Sequence, residues 1–161
     1  MLNYIWKSRC LPKLKVFLWL LLKDRLNTKD LMVRKHWHVE GGHSCVLCDD
    51  DVLETRDQLF FTCPFANRCW DTIHIDFENI GHIHSRILKT KSDFTGPCFM
   101  EIFATAAWNI WKARNELIFQ GLQASLSRWR IHFQSDLLLH QHRVKTALVQ
   151  PLLEWVQNNF T

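Results

Sequence analysis

The organisation of this chain is set by residues 43–64, which read HSCVLCDDDVLETRDQLFFTCP. This segment places Cys45 and Cys48 in a Cys-x-x-Cys turn, and Cys63 follows 15 residues later. Such a turn holds two thiolates close enough to share one metal ion, and ligands from a following helix complete a tetrahedral zinc site. Buried thiols and a redox pair are the alternatives, but a redox pair is typical of a βαβ unit, which this sequence does not show.

Helical patterns flank this segment on both sides. Pro12 and the apolar run after it predict a buried helix over about residues 12–25, because proline suits the first helical turn. Asn27 or Thr28 fits the cap of a second short helix. Thr55 and Gln58 match the capping-box pattern that opens a helix, and Pro64 starts another one.

Two long helices are predicted in the second half of the chain. Two apolar stripes indicate a helix over about residues 98–119, and Gly121 suits its end. The next helix, over about residues 125–148, has apolar residues at steps of three and four, and Pro151 opens a last short helix. The predicted fold class is therefore mainly α: a helical domain with a small Cys-x-x-Cys zinc-knuckle-like insert, followed by two long helices.

The composition is that of one ordinary globular domain. Apolar residues make up 47% of the 161 residues and charged residues 22%, which argues against a disordered chain. The longest uninterrupted apolar run, 16–22, has seven residues, whereas a bilayer span needs about 20, so no membrane partner is expected. No small-residue cleavage site follows that run, and we expect an intracellular protein with reduced cysteines rather than a secreted one.

Charge is unevenly distributed along the chain. Residues 1–35 carry a net charge of +7 and residues 36–80 a net charge of −7. Such segregation is typical of a basic surface that binds RNA or DNA, although opposite blocks can also neutralise each other within a fold. The candidate phosphate-binding residues are Lys13, Lys15, Lys23, Arg25, Lys29, Arg34 and Lys35. Solvated helix faces without a ligand are the alternative interpretation of this set.

The cysteine segment and its surroundings resemble a known family. Matching residues of the first half occur in order at the family's spacing: Trp6, Pro12-Lys13, Phe17-Leu18-Trp19, Arg25-Leu26-Asn27-Thr28, Leu31, Arg34, Cys45, Cys48, Glu54-Thr55, Leu59-Phe60, Cys63-Pro64 and Trp70. A later run matches the segment that commonly follows: Trp108-Asn109-Ile110-Trp111-Lys112, Arg114-Asn115 and Ile118-Phe119. Over residues 4–75 and 99–121 the chain therefore resembles the zinc-binding domain that follows the reverse transcriptase of plant non-LTR (LINE-type) retrotransposons.

The resemblance divides the chain into three segments. We expect residues 1–78 to be the reverse transcriptase zinc-binding-like domain, residues 79–97 a linker and residues 98–161 a helical C-terminal region. The linker is inferred from the loss of apolar periodicity, with room for one helical turn. In the family's polyproteins a reverse transcriptase precedes this domain and a ribonuclease H-like domain often follows, so the chain is expected to be an accessory domain separated from its polymerase.

One position departs from the family pattern. The family has Cys-x-x-Cys, then Glu-Thr-x-x-His-Leu-Phe, then Cys, and Gln58 stands at the histidine position. The resemblance carries over three ligands of zinc, the expected cofactor: Cys45, Cys48 and Cys63. An amide is a weak zinc ligand beside thiolate or imidazole, so the fourth place is left open. The nearest replacement is His43, and the alternatives to it are Asp57, Cys69 and a water molecule.

No catalytic signature accompanies the cysteines. The sequence has no Gly-rich phosphate loop, Gly-x-Ser-x-Gly or His-Glu-x-x-His motif, so we expect neither an enzyme nor a small-molecule substrate. The resemblance implies a non-catalytic, retrotransposon-derived zinc-binding accessory domain that assists nucleic-acid binding in the nucleus. A degenerate, metal-free relic or a helical protein-interaction module is the alternative, because Gln58 removes a ligand. The sequence names no protein partner.

Overall fold

The computed structural model describes residues 1–78 and 81–160. Asn79 and Ile80, the first two residues of the predicted linker, and Thr161, the last of the predicted C-terminal region, lie outside the described residues. Within the described ranges the regular structure is helical, and β-pairing is limited to an isolated bridge between Ser44 and Leu53. The prediction of a mainly α fold is confirmed. No helix in these ranges has both the length and the apolar composition that a bilayer span requires.

The first half of the chain is built from short helices. They are α1 (Leu2–Lys7), α2 (Pro12–Leu22), α3 (Lys29–Arg34), a π-helical turn (Gln58–Thr62) and α4 (Pro64–Thr72). Helix α2 begins at Pro12 as predicted, and the Thr28 hydroxyl caps α3 by accepting the Leu31 N–H at 3.3 Å. Helix α2 ends before the predicted residue 25, because the backbone turns left-handed at Asp24 (φ 52°).

The second half contains longer helices. They are α5 (Ile83–Asp93), α6 (Phe99–Gln120), α7 (Leu126–Leu138), a 3₁₀ turn (Leu139–His142) and α8 (Thr146–Phe160). Helix α6 agrees with the prediction, but α7 stops ten residues short of the predicted 148. There the buried His140 ring accepts the Leu11 N–H at 3.4 Å, which ties the chain to the start of α2. Pro151 lies inside α8 rather than at its start.

A helix occupies most of the segment predicted as a linker. Ile83 and Ile87 of α5 are buried, and the Arg86 guanidinium lies 4.9 Å from the centroid of the Phe61 ring. The sequence did not predict this helix because its buried apolar residues, two isoleucines one turn apart, form too short a periodic pattern. Packing against the first half of the chain therefore orders α5, while the division into domains remains a prediction.

Helix α6 forms the centre of the core. Residues 99–107 of this helix are all buried, and α6 packs against α2, α4 and α7. Trp70 and Phe99 both stack with Phe103, with ring centroids 5.6 and 5.9 Å away. Such aromatic pairs contribute about 0.5–1.5 kcal/mol beyond the area that they bury. The two apolar stripes predicted on this helix thus correspond to contacts on more than one side.

Gly121 offers a test of how α6 ends. Its φ of 66° is left-handed, its N–H donates to Leu117 O at 3.1 Å, and a Cβ added to this glycine would meet no neighbouring atom within 4 Å. We expect Gly121→Ala to lower the free energy of unfolding by about 1–2 kcal/mol in urea denaturation, because only backbone strain changes. Gly121→Asn should lose less, since asparagine tolerates this conformation. An alanine variant as stable as the wild type contradicts the expectation.

Candidate metal centre

A hairpin-like loop carries the first two cysteines of the candidate site. The Cys45 N–H donates to Val52 O at 2.9 Å and the Glu54 N–H donates to His43 O at 3.0 Å, which closes the loop as an antiparallel bridge. Cys63 lies immediately before the proline that starts α4. The bridge folds the loop back toward α4, so cysteines 18 residues apart in sequence come together.

The three sulfur atoms form one compact cluster. The Sγ atoms of Cys45, Cys48 and Cys63 all lie within 4.8 Å of one another, and those of Cys45 and Cys63 are 3.9 Å apart. With Zn–S bonds of about 2.3 Å, two thiolates on a tetrahedral zinc ion are about 3.8 Å apart. Cys45 and Cys63 are buried, whereas Cys48 is partly exposed. The donor atoms and their spacing fit a zinc ion.

Hydrogen bonds distribute the protons unequally among the three thiols. The Cys45 thiol donates to Cys63 Sγ, which lowers the pKa of Cys63 and raises the pKa of Cys45. The backbone N–H groups of Phe65 and Ala66, in the first turn of α4, also lower the pKa of Cys63 by stabilising its thiolate. Burial raises the pKa of Cys48. Cys63 is therefore the first of the three to ionise, and metal binding requires the other two protons to leave.

The Gln58 amide lies beside the sulfur cluster. Its Nε2 donates to Cys48 Sγ at 3.7 Å, and its Oε1 is buried without a hydrogen-bond partner among the described residues. The Gln58 backbone N–H donates to Thr55 Oγ1 at 3.0 Å, which is the first half of the predicted capping box. The side chain reaches the cysteines instead of completing the box. The Thr55–Gln58 pattern thus located the helix start correctly, and the side chain at the family's histidine position lies beside the sulfurs.

The candidates named for the fourth ligand lie elsewhere. His43 is exposed, and its ring is not among the clustered ligand atoms of the described residues. The Asp57 carboxylate accepts from Arg56 Nε at 2.8 Å. Cys69 is buried within α4, outside the three-sulfur cluster. The structure therefore brings together the three predicted cysteines but none of the three side chains predicted to replace the histidine.

A buried ion pair joins the cysteine loop to the central helix. The fully buried Glu54 carboxylate accepts hydrogen bonds from Arg114 Nη2 at 2.6 Å and Nε at 3.2 Å, and the Arg114 side chain is 3% exposed. The same carboxylate accepts the Lys29 backbone N–H at 3.0 Å, at the start of α3. Both charged residues are family matches, but their pairing was not predicted. Arg114 stands in the most polar part of α6, between Lys112 and Glu116, which indicated the wetter end of this helix, so the local sequence gave no signal of its burial.

Two of the predicted phosphate-binding residues are committed to contacts within the protein. Lys29 is 3% exposed, and its Nζ donates to Ser44 O at 2.8 Å, so it supports the cysteine loop. Arg34 is exposed, but its guanidinium bonds to Asp24 and Asp30, each at 2.8 Å. The first of these bonds brings the end of α3 to the turn after α2.

Three exposed cations lie near these two helix ends: Lys23, Arg25 and Lys35. The Arg25 guanidinium lies 5.3 Å from the centroid of the Trp19 ring, and Lys35 Nζ lies 4.6 Å from the Trp37 ring. Trp37 is 50% exposed, which is unusual for so large a ring. We call Lys23, Arg25, Lys35 and Trp37 the basic-aromatic patch.

The last two predicted phosphate-binding residues lie at the opposite end of α2. Lys13 is exposed, with its Nζ 5.6 Å from the Trp108 ring of α6. Lys15 is partly buried, and its Nζ donates to Trp6 O at 3.1 Å. The structure therefore separates the predicted basic block into two ends of one helix rather than one continuous surface.

Comparison with known proteins gives one match. Residues 1–70 match the model of a family described as zinc-binding in reverse transcriptase. The matched range contains all three clustered cysteines and all seven predicted phosphate-binding residues. The resemblance is confirmed at the level of this family, while the narrower assignment to plant LINE-type retrotransposons remains a prediction. No curated protein and no solved structure matches the chain.

Proposed function

We propose, from the match of residues 1–70 to the family described as zinc-binding in reverse transcriptase, that this chain is a non-catalytic accessory domain that binds zinc and nucleic acid. The observation that carries the zinc assignment is the spacing of the sulfur atoms of Cys45, Cys48 and Cys63. A zinc ion held there supplies folding energy, because it links the loop to the start of α4.

The nucleic-acid part of the proposal rests on the basic-aromatic patch. Lysine and arginine side chains neutralise phosphates, while an exposed indole stacks on an unpaired base. Trp37 presents half of its surface to solvent directly beside Lys35. The ligand that fits this combination is single-stranded RNA or DNA bound with little sequence preference, and the family context makes the nucleus the expected place of action.

The salt dependence of binding tests this proposal. We expect the triple variant Lys23→Ala, Arg25→Ala, Lys35→Ala to bind a labelled single strand more weakly, with the log–log slope against salt reduced by about 2 because three phosphate contacts are lost. Fluorescence anisotropy at several salt concentrations measures this slope. Trp37→Ala should weaken binding by about 1–3 kcal/mol without changing the slope, since it removes stacking and no charge.

A matched control removes the same charge elsewhere. The triple variant Arg130→Ala, Arg143→Ala, Lys145→Ala takes three exposed cations from the region of α7 and α8. It should leave both the slope and the affinity close to those of the wild type. Equal losses of affinity in the two triple variants would show that binding depends only on the overall charge of the protein. Undetectable binding by the wild type at low salt would refute the nucleic-acid part of the proposal.

A metal-free protein-interaction module is the second candidate function. A cavity of about 440 Å³ lies between α3 and the end of α6, with Met32, Trp111 and Phe119 in its lining. Phe119 is 76% exposed, and exposed apolar surface of this kind is typical of protein contacts. Metal analysis separates the two candidates. One tightly held zinc ion per chain supports the first, whereas a stably folded chain without metal supports the second.

A further inference from the structure

A buried oxygen beside the sulfur cluster lacks a partner. Gln58 Oε1 makes no hydrogen bond within the described chain, although its amide nitrogen donates to Cys48 Sγ. Buried carbonyl-type oxygens in native proteins are nearly always paired, because leaving one unpaired costs free energy. A cation among the sulfurs is one partner that this oxygen can take.

The amide terminus lies at ligand distance from the cluster. Gln58 Nε2 is 3.7 Å from Cys48 Sγ, close to the 3.9 Å between the sulfurs of Cys45 and Cys63. In a tetrahedral zinc site with a Zn–O bond of about 2.1 Å, sulfur and oxygen ligands are about 3.6 Å apart. The two ends of a carboxamide have nearly the same shape. A half-turn of the terminal torsion therefore exchanges the two atoms and brings Oε1 to the position 3.7 Å from Cys48 Sγ without moving the rest of the side chain.

Hydrogen bonds fix the backbone of Gln58 relative to Cys63, one of the predicted ligands. Its N–H is bound by Thr55 Oγ1 at 3.0 Å, and its carbonyl accepts the Cys63 N–H at 2.7 Å. The π-helical turn thus connects Gln58 directly to Cys63. A ligand is effective when its own position is fixed in this way, because little conformational freedom is lost on metal binding.

We propose that Gln58 is the fourth ligand of the zinc ion, bound through its carboxamide oxygen in a three-cysteine, one-glutamine set. The inference rests on the zinc-binding function proposed above. A neutral amide gives the site the same formal charge as a neutral imidazole, but its oxygen is a harder and weaker donor for zinc. This site therefore holds zinc less tightly than the same chain with histidine at position 58.

A positioning role for Gln58 leads to a different expectation. In that account Nε2 donates to the Cys48 thiolate, and water occupies the fourth vertex. The occupant of the fourth vertex separates the two accounts, because imidazole displaces a bound water more easily than an oxygen that the chain itself holds in place. If the oxygen is the ligand, the cobalt-loaded wild type resists imidazole at concentrations that shift Gln58→Leu. If water is there, imidazole shifts the two proteins equally. Glutamate keeps the oxygen at the same reach, so if the oxygen is the ligand, Gln58→Glu binds zinc at least as tightly as the wild type.

The experiment measures the zinc dissociation constant of the full chain by competition with a chromophoric chelator. We expect Gln58→Glu and Gln58→His to match or exceed the wild-type affinity. Gln58→Leu should bind zinc at least about tenfold more weakly than the wild type. Tenfold is the smallest loss of affinity that is typical when a residue hydrogen-bonded to a metal ligand is removed. Gln123→Glu, at an exposed position outside the cluster, adds the same charge and should change nothing.

A second readout reports on the fourth vertex directly. In cobalt-loaded protein, imidazole should shift the visible absorption of Gln58→Leu at lower concentrations than it shifts the wild type, because the leucine variant leaves that vertex to solvent. Should Gln58→Leu not fold, the comparison of Gln58→Glu with the wild type still tests the inference.

The outcomes distinguish the inference from the function on which it rests. Equal affinity of Gln58→Leu and the wild type, or weaker binding by Gln58→Glu, would overturn the role of Gln58 and leave the zinc function intact. A wild-type chain that binds zinc no better than Cys63→Ser would refute the zinc function itself. Weaker binding by Gln58→Leu, together with a cobalt-loaded wild type that resists imidazole at concentrations that shift Gln58→Leu, supports the oxygen ligand, whereas equal imidazole responses of the two proteins would overturn it.

Discussion

Replacing Arg114 with methionine is expected to lower the free energy of unfolding by about 3–5 kcal/mol, because it leaves the buried Glu54 carboxylate without its cation. The pair is closed to solvent, with side chains 3% and 0% exposed and a nitrogen–oxygen distance of 2.6 Å. Methionine keeps most of the buried volume, so the measured loss reflects mainly the unpaired charge. Urea denaturation followed by far-UV circular dichroism measures the effect.

Two control variants complete this experiment. Arg34→Met removes an arginine that also bonds two carboxylates but is exposed, and it should cost less than about 1 kcal/mol. The double variant Glu54→Gln, Arg114→Met should recover part of the stability, because neither charge of the pair is left buried without its partner and glutamine can still accept the Lys29 N–H. An Arg114→Met loss no larger than that of Arg34→Met would mean that Glu54 does not depend on Arg114 for its burial.

Removal of zinc is expected to produce the second large effect. When free zinc exceeds its dissociation constant a thousandfold, binding stabilises the folded state by about 4 kcal/mol. For a chain of this size that loss lowers the thermal midpoint by about 8–16 °C. The physical reason is that a zinc ion bound by the three sulfurs links the loop that carries Cys45 and Cys48 to the start of α4. A chelator removes the ion and with it this link. Thermal scans of the full chain with and without chelator measure the shift.

Cysteine variants show whether this shift arises at the candidate site. Cys63→Ser should have the low midpoint under both conditions, since it cannot hold the metal. Cys98→Ser removes a partly buried thiol outside the cluster and should keep the full response to chelator. A wild-type midpoint that does not respond to chelator would favour the metal-free candidate function.

Helix boundaries were predictable from the sequence where a local signal marks them, although Pro151 lies inside α8 rather than at its start. Pro12, Thr28 and Pro64 mark starts that the structure confirms, because a proline or a capping hydroxyl acts within one helical turn. Just after the end of α7, His140 bonds to Leu11, which is 129 residues away in the sequence. No local pattern contains that information, and the same applies to the packing that orders α5.

The candidate site shows the same division. The spacing of Cys45, Cys48 and Cys63 predicted a cluster, since a tight turn and a nearby helix start limit how far the sulfurs can separate. The charge pattern of the sequence placed Lys29 among the candidate phosphate-binding residues. It did not indicate that the fold buries this side chain. Whether a side chain is buried depends on which parts of the chain pack against it in the folded protein. The burial of a single charged residue therefore has no reliable signature in one sequence.

The sequence by itself determined the mainly α class and the three sulfur donors, because helical periodicity and short cysteine spacings are local properties of the chain. Tertiary packing alone determined that α6 brings Arg114 to Glu54 and that His140 meets Leu11. These arrangements depend on which distant surfaces come together when the core forms around α6.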